Sequence, residues 1–195
     1  IGSVSFQQEN PGKSISKWLT KLYGNQVRHY MDDTHRPDVL MHMDMPGSSL
    51  TYGFYSEAEM RPGSKQQLRI IADASSTHLK ASMTMYEPGQ LPMYMLTWPD
   101  NRKDQAGTGI SWEYKLDSNW LLRAALRLDY IHTLLTSQEA KDHISILGVP
   151  DASRTEFLKN SSFSATRKIS PWLKSSISLA YAERMPTATE LYGFY

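Results

Sequence analysis

Between Asn119 and Thr133 the even positions Trp120, Leu122, Ala124, Leu126, Leu128 and Tyr130 are all apolar or aromatic. Arg123, Arg127 and Asp129 stand on odd positions. A helix of this sequence would scatter its charges around the circumference, whereas a strand sorts them onto opposite faces. The preceding run repeats the pattern. Ala106, Thr108, Ile110, Trp112, Tyr114 and Leu116 alternate with Gly107, Gly109, Ser111, Glu113 and Lys115, and Asp117 and Ser118 supply a turn. The spacing predicts a β-hairpin.

The same period organises the rest of the chain. Leu50, Tyr52, Phe54, Ala58 and Met60 lead through a turn containing Pro62 and Gly63 into Leu68, Ile70, Ala72 and Ala74. After Ser75 and Ser76 the apolar parity switches to Leu79, Ala81, Met83 and Met85, as one bulged residue in a continuous strand over 66–86 would produce. A third hairpin runs from Phe163 through Ser170 and Pro171 to Tyr181. About eight strands are expected. Short turns near 61–65, 116–119 and 169–172 alternate with longer excursions at 87–104 and 134–160, so the short turns fall on one side. In the second excursion Thr136 and Glu139 make a capping-box pattern, with Ile144, Ile146, Gly148 and Pro150 beyond, which predicts a short loop helix.

Two architectures satisfy this alternation. In a transmembrane barrel the apolar face meets lipid, each crossing needs only about 9–11 residues, and one end has short turns and the other long loops. In a soluble β-sandwich binding or adhesion module the apolar face turns inward. Trp112, Tyr114, Trp120, Tyr130, Trp172 and Tyr181 near strand ends fit an interfacial aromatic girdle, although aromatics also fill sandwich cores. No run approaches the ~18 apolar residues of a membrane helix. With 21 Lys and Arg against 20 Asp and Glu, net charge +1, nothing points to a nucleic-acid partner. The absence of Cys removes thiolate sites and cysteine nucleophiles. His-Glu-x-x-His, Gly-x-Ser-x-Gly and phosphate-loop motifs are absent, so no enzyme is expected and no cofactor is required.

Three segments carry a family resemblance. Tyr181-Ala182-Glu183-Arg184-Met185-Pro186-Thr187-Ala188-Thr189-Glu190-Leu191-Tyr192-Gly193 resembles the Arg-x-Pro-Thr-x-x-Glu-Leu-Tyr segment that follows a barrel strand in TonB-dependent outer-membrane receptors. Thr51 to Glu59 is similar to a descending strand of that family. Tyr23-Gly24-Asn25-Gln26-Val27-Arg28-His29-Tyr30-Met31-Asp32-Asp33 resembles the Asn-x-Val-x-His-x-Met-Asp strand of its copper and metal branch. The resemblance implies an antiparallel barrel of about 22 strands around a plugged lumen, in the bacterial outer membrane. Residues 1–195 would form part of that one barrel domain, with the plug domain, the TonB-contacting segment and the remaining strands absent. Its partners would be outer-membrane lipid, the TonB system acting through the plug, and a metal ion or chelate as cargo. In the metal branch the His-x-Met pair contributes ligands, which here means His29 and Met31; copper would then be transported substrate. The same two residues also read as ordinary strand positions.

Nine of the ten Met residues lie between Met31 and Met95. Met41, Met43 and Met45 share one strand face, and His42 and Asp44 the other. Met83 and Met85 extend the Leu79 and Ala81 stripe, which predicts lipid contact. Met93 and Met95, flanked by Pro92, Tyr94 and Trp98 in an expected outer loop, form a candidate surface for an incoming ligand. Asp32, Asp33, His35, Arg36 and Asp38 read as a solvated loop rather than a hydrolytic or divalent-metal site.

Overall fold

A computed structural model describes residues 1–33, 35–36, 38–146 and 152–192. Eight strands form one antiparallel sheet in sequence order. They are β1 (Gly2–Glu9), β2 (Ile15–Asp32), β3 (His42–Gly63), β4 (Gln66–Tyr86), β5 (Met93–Lys115), β6 (Trp120–Leu135), β7 (Ser153–Ser170) and β8 (Leu173–Tyr181). Two short helices, α1 (Gln138–Ile146) and α2 (Ala188–Tyr192), complete the described chain. The expected all-β meander of about eight strands is what the chain forms. The two packed sheets of a sandwich are not formed, because every described strand belongs to this one sheet.

Register explains the alternation. Leu22, Phe54, Ala74, Ala106, Tyr130 and Phe157 are successive cross-strand partners, so one apolar row crosses six strands. No second layer covers it: Phe157 and Leu179 are 70% and 72% exposed. The opposite face is ionic. Arg127 reaches across β5 to Asp73 on β4 (2.8 Å) and binds Asp129 on its own strand (2.6 Å). Arg69 bridges Glu57 and Glu59 at 3.2 and 3.1 Å, and Arg123 meets Glu113 at 2.8 Å. Gly107 makes the Arg127 crossing feasible, since a Cβ there would collide with the Arg127 guanidinium and the Asp129 carboxylate. These are the aromatic face and the charged face of the sheet.

The turns at 10–14, 64–65, 116–119 and 171–172 lie at one end, as expected of the short connections. Asp117 Oδ1 accepts the amides of Asn119 (2.7 Å) and Trp120 (2.8 Å), which closes the β5–β6 turn. The longer connections differ from expectation. β5 begins at Met93 and β7 at Ser153, so strands reach well into the stretches 87–104 and 134–160. Asn101 to Asp104 pair with Ser76–Leu79 and with His132–Leu135 through backbone bonds, for which hydropathy gives no signal. The parity change in β4 is not a bulge against β3, because that pairing runs unbroken from His42↔Tyr86 to Met60↔Leu68. The irregularities lie between β4 and β5, where the partners of Leu79, Ala81 and Ser82 skip residues on β5.

The loop helix is present, capped one residue later than expected: Ser137 Oγ accepts the Ala140 amide at 3.1 Å, while Thr136 Oγ1 turns instead to Asp100 and His78. Gly148 and Pro150 lie outside the described residues. Ala140 and Ile144 pack with Leu96, Leu135 and Tyr192 into a small buried cluster. The carboxyl-terminal segment has its own logic. Thr187 Oγ1 accepts the Glu190 amide at 3.2 Å and Glu190 accepts the Thr187 amide at 2.7 Å, a reciprocal capping box. Arg184 clamps Glu190 through two bonds of 2.8 Å, and Tyr192 bonds Thr133 on β6. Arg184, Thr187, Glu190 and Tyr192 thus each make a contact that fixes the segment.

Candidate functional site

The site lies on the charged face, at the end of the sheet with the long connections. Each of β2 to β5 has 18 or more residues, about twice what a membrane crossing needs. Their apolar stripes on the aromatic face occupy only part of that length, and the strand ends beyond them carry the methionines.

His29 and Met31 sit on β2 two residues apart and so project the same way. Met31 pairs with Met45 on β3, and His29 with Gly47. Gly47 pairs with Ala81 on β4, and Ala81 with Trp98 on β5. Met83 pairs with Met95, Met85 with Met93, and Met43 with Met85. The register between Asp44↔Thr84 and Gly47↔Ala81 carries Met45 to the level of Met83. One row of thioethers therefore runs Met31, Met45, Met83, Met95, and a second runs Met43, Met85, Met93. Neighbouring strands are about 4.8 Å apart, so the first row extends about 14 Å across the wall.

Beneath the first row, the small side chains of Gly47 and Ala81 leave a depression of about 510 Å³. It is lined by His29, Met31, Met45, Met83 and Trp98, with Thr189 of α2 at its edge. The Arg184–Glu190 clamp and the Tyr192–Thr133 bond thus hold one wall of it. Among the described residues no carboxylate lines the depression. Among the described residues no three His, Cys, Asp or Glu side chains converge as a hard-metal site. Thioethers with one imidazole form a soft, neutral donor set, suited to Cu(I) and unsuited to Mg²⁺ or Ca²⁺.

Several residues stand elsewhere than the sequence alone predicts. Met83 and Met85 do not point to the aromatic face; the unbroken β3–β4 register puts them with His29 and Met31. Met93 and Met95 are strand residues of β5, not loop residues, although Met93 remains 55% exposed. Met43 and Met45 share a face as expected. Met41 precedes β3. Gly47, Trp98 and Thr189 had no signal of their own. Continuing the β3–β4 hairpin pairing to the strand ends would have revealed the methionine rows.

The acidic loop is anchored through a buried group. Asp33 is 8% exposed, and its Oδ1 accepts the Met43 amide at 2.8 Å and contacts His42 Nδ1 at 3.3 Å. The Met43 amide, with His42 beside it, holds the Asp33 carboxyl below its ordinary range against the opposing effect of burial. Asp33 thus ties the end of β2 to the start of β3 and fixes the level at which Met31 meets Met45.

Taken together, the fold is an antiparallel meander with one exposed apolar face and one charged face. Neither a protein-family model nor a curated protein matches the chain. Among solved structures it is similar to "Copper transporter OprC", with a TM-score of 0.77 and 18% identity over 95% of this chain. The chain spans 29% of that structure's length. At this identity the likeness carries the fold.

Proposed function

We propose that this chain is part of the wall of a bacterial outer-membrane β-barrel transporter for a soft metal ion or its chelate, with copper foremost. The aromatic face meets lipid and the charged face lines the lumen. The observation that carries the reading is the gathering of His29, Met31, Met45 and Met83, from three strands, around one depression with no carboxylate among its described lining residues. That donor set would capture a thiophilic cation and disregard the more abundant hard ones. The single sheet with a bare apolar face is what a lipid-facing wall requires, and the fold shared with a protein named as a copper transporter adds support. The Arg184 to Tyr192 segment favours the TonB-dependent receptor family, in which an energised partner would act through a plug domain.

The test is Cu(I) binding by the full-length protein in detergent, with Ag(I) as a redox-inert surrogate, comparing wild type with His29→Ala/Met31→Ala. Losing two of the donors should weaken binding by about 100-fold, one order of magnitude for each ~1.4 kcal/mol of lost donor interaction. Wild-type affinity in the double variant would overturn the metal site and leave the membrane wall to be judged separately.

A further inference from the structure

On the aromatic face, directly behind the methionine site, the apolar stripe ends and a different chemistry begins. Arg28 on β2, Ser48 on β3 and Lys80 on β4 are successive cross-strand partners in one row. Leu50 and Tyr52 on β3 lie just below, 44% and 52% exposed. Arg28, Ser48 and Lys80 line a shallow concavity of about 390 Å³ with Tyr30, Pro46 and Ser82. Two inter-strand steps of about 4.8 Å put the Arg28 and Lys80 backbones roughly 10 Å apart, a separation two long cationic side chains can bracket around one tetrahedral anion.

The surrounding charges are largely committed elsewhere. Asp44 engages the hydroxyls of Tyr30, at the edge of the concavity, and of Tyr86, and Asp32 also acts on Tyr30. Asp100, the acid that acts on Lys80, is bound by His78 and Thr136. Arg102 pairs with Asp104 at 2.9 Å. Among the described residues neither Arg28 nor Lys80 makes an ion pair, and only Ser48 separates the two like charges in the row. Ser48 and Ser82 add hydroxyl donors.

We propose that Arg28, Ser48, Lys80 and Ser82 form a binding site for the phosphate of a membrane lipid headgroup. The inference rests on the membrane-wall reading above. Its position identifies the occupant: acyl chains would lie along Leu50, Tyr52 and Phe54, and the headgroup of the same lipid would reach the Arg28–Lys80 row. A free phosphate would gain nothing from that adjoining apolar stripe. A lipid held there would also brace β2 to β4, the strands that bear His29, Met31, Met45 and Met83 on their other face.

The experiment is native mass spectrometry of the full-length protein in detergent with phosphatidate, with phosphatidylcholine, or with phosphatidate plus inorganic phosphate. Wild type should retain phosphatidate in preference to phosphatidylcholine, and inorganic phosphate at equal concentration should not displace it. Arg28→Gln/Lys80→Gln should lower that retention about tenfold or more, each cation near a membrane surface contributing appreciably. Arg28→Lys/Lys80→Arg, which keeps both charges, should restore it. Equal retention of the two lipids, a double variant that behaves as wild type, or displacement by inorganic phosphate would each overturn the proposal. Membrane fractionation separates this from the parent reading. A wild-type protein soluble without detergent sinks the membrane wall itself, whereas a membrane-bound protein without lipid preference sinks only the headgroup site.

Discussion

The charged face divides into two regions that share strands and register but not chemistry. Toward the short turns, three arginines are answered by carboxylates: Arg69 by Glu57 and Glu59, Arg123 by Glu113, and Arg127 by Asp73 and Asp129. Toward the long connections the groups are neutral, soft and turned to an open depression. The comparison separates structure from binding. Ionic groups on an open wall are stabilised by neutralising one another, and they thereby become poor ligands. Thioethers have no such partners and remain available to a cation.

The largest expected effect tests the self-neutralised region. Gly107→Val would place a side chain where the Arg127 guanidinium now lies, and the nearly buried Asp129 would lose its cation. Stability should fall by about 2–3 kcal/mol, below the 3–5 of a fully buried pair because Arg127 is partly solvated. Urea unfolding in detergent micelles measures this, and Ag(I) affinity should stay at the wild-type value. Coupled losses of stability and affinity would mean that the two regions are not separable.

The soft region gives the reverse signature. Gly47→Leu should fill the depression between His29, Ala81 and Trp98. An added Cβ meets the Ala81 Cβ at 3.6 Å, an ordinary contact, so the fold should tolerate the change within about 1 kcal/mol. Metal affinity should nevertheless drop about tenfold, equivalent to ~1.4 kcal/mol, as measured by Ag(I) competition. Smaller again is Met83→Leu, which keeps volume and removes one sulfur; an affinity loss of about threefold with unchanged stability is expected. If Met83→Leu has no effect while Met31→Leu does, the rows are not one continuous ligand surface.

How far these features were legible in the sequence follows from what period two can encode. Trp120 to Tyr130 announce their faces because hydropathy and parity agree. The stretch Asn101 to Asp104 is just as regular a strand, held by β4 and β6, but its side chains are polar on both faces and the pattern vanishes. Met83 and Met85 mislead in the opposite sense: they are apolar, yet the register puts them on the charged face, and hydropathy does not separate a lumen-side thioether from a lipid-facing side chain. Only cross-strand register tells the two apart. His29 and Met31 became candidates through the resemblance of their segment, whereas Gly47, Trp98 and Thr189 join the depression through pairing and a distant helix that no local spacing encodes.

The smallest expected effect concerns the strap that contributes Thr189 to the depression. Arg184, with the Thr187 amide, holds the Glu190 carboxyl at a pKa of about 2, below the ordinary glutamate value of 4.5. A depressed carboxyl pKa stabilises the folded strap in full above pH 4.5, and that contribution is lost as pH falls from there toward 2. Glu190 is exposed, so the consequence should be local release of α2 rather than global unfolding. Hydrogen exchange at the α2 amides should therefore accelerate, beyond its intrinsic pH dependence, between about pH 4.5 and 2 in wild type, with β2 to β5 unaffected. Glu190→Gln should show the faster exchange already at neutral pH and no further acid step. Because the strap is one wall of the depression, that variant should also lose Ag(I) affinity by about twofold, within the range a single exposed interaction can supply. If exchange quickens and affinity does not change, Thr189 is a neighbour of the soft site and the four strands alone define it.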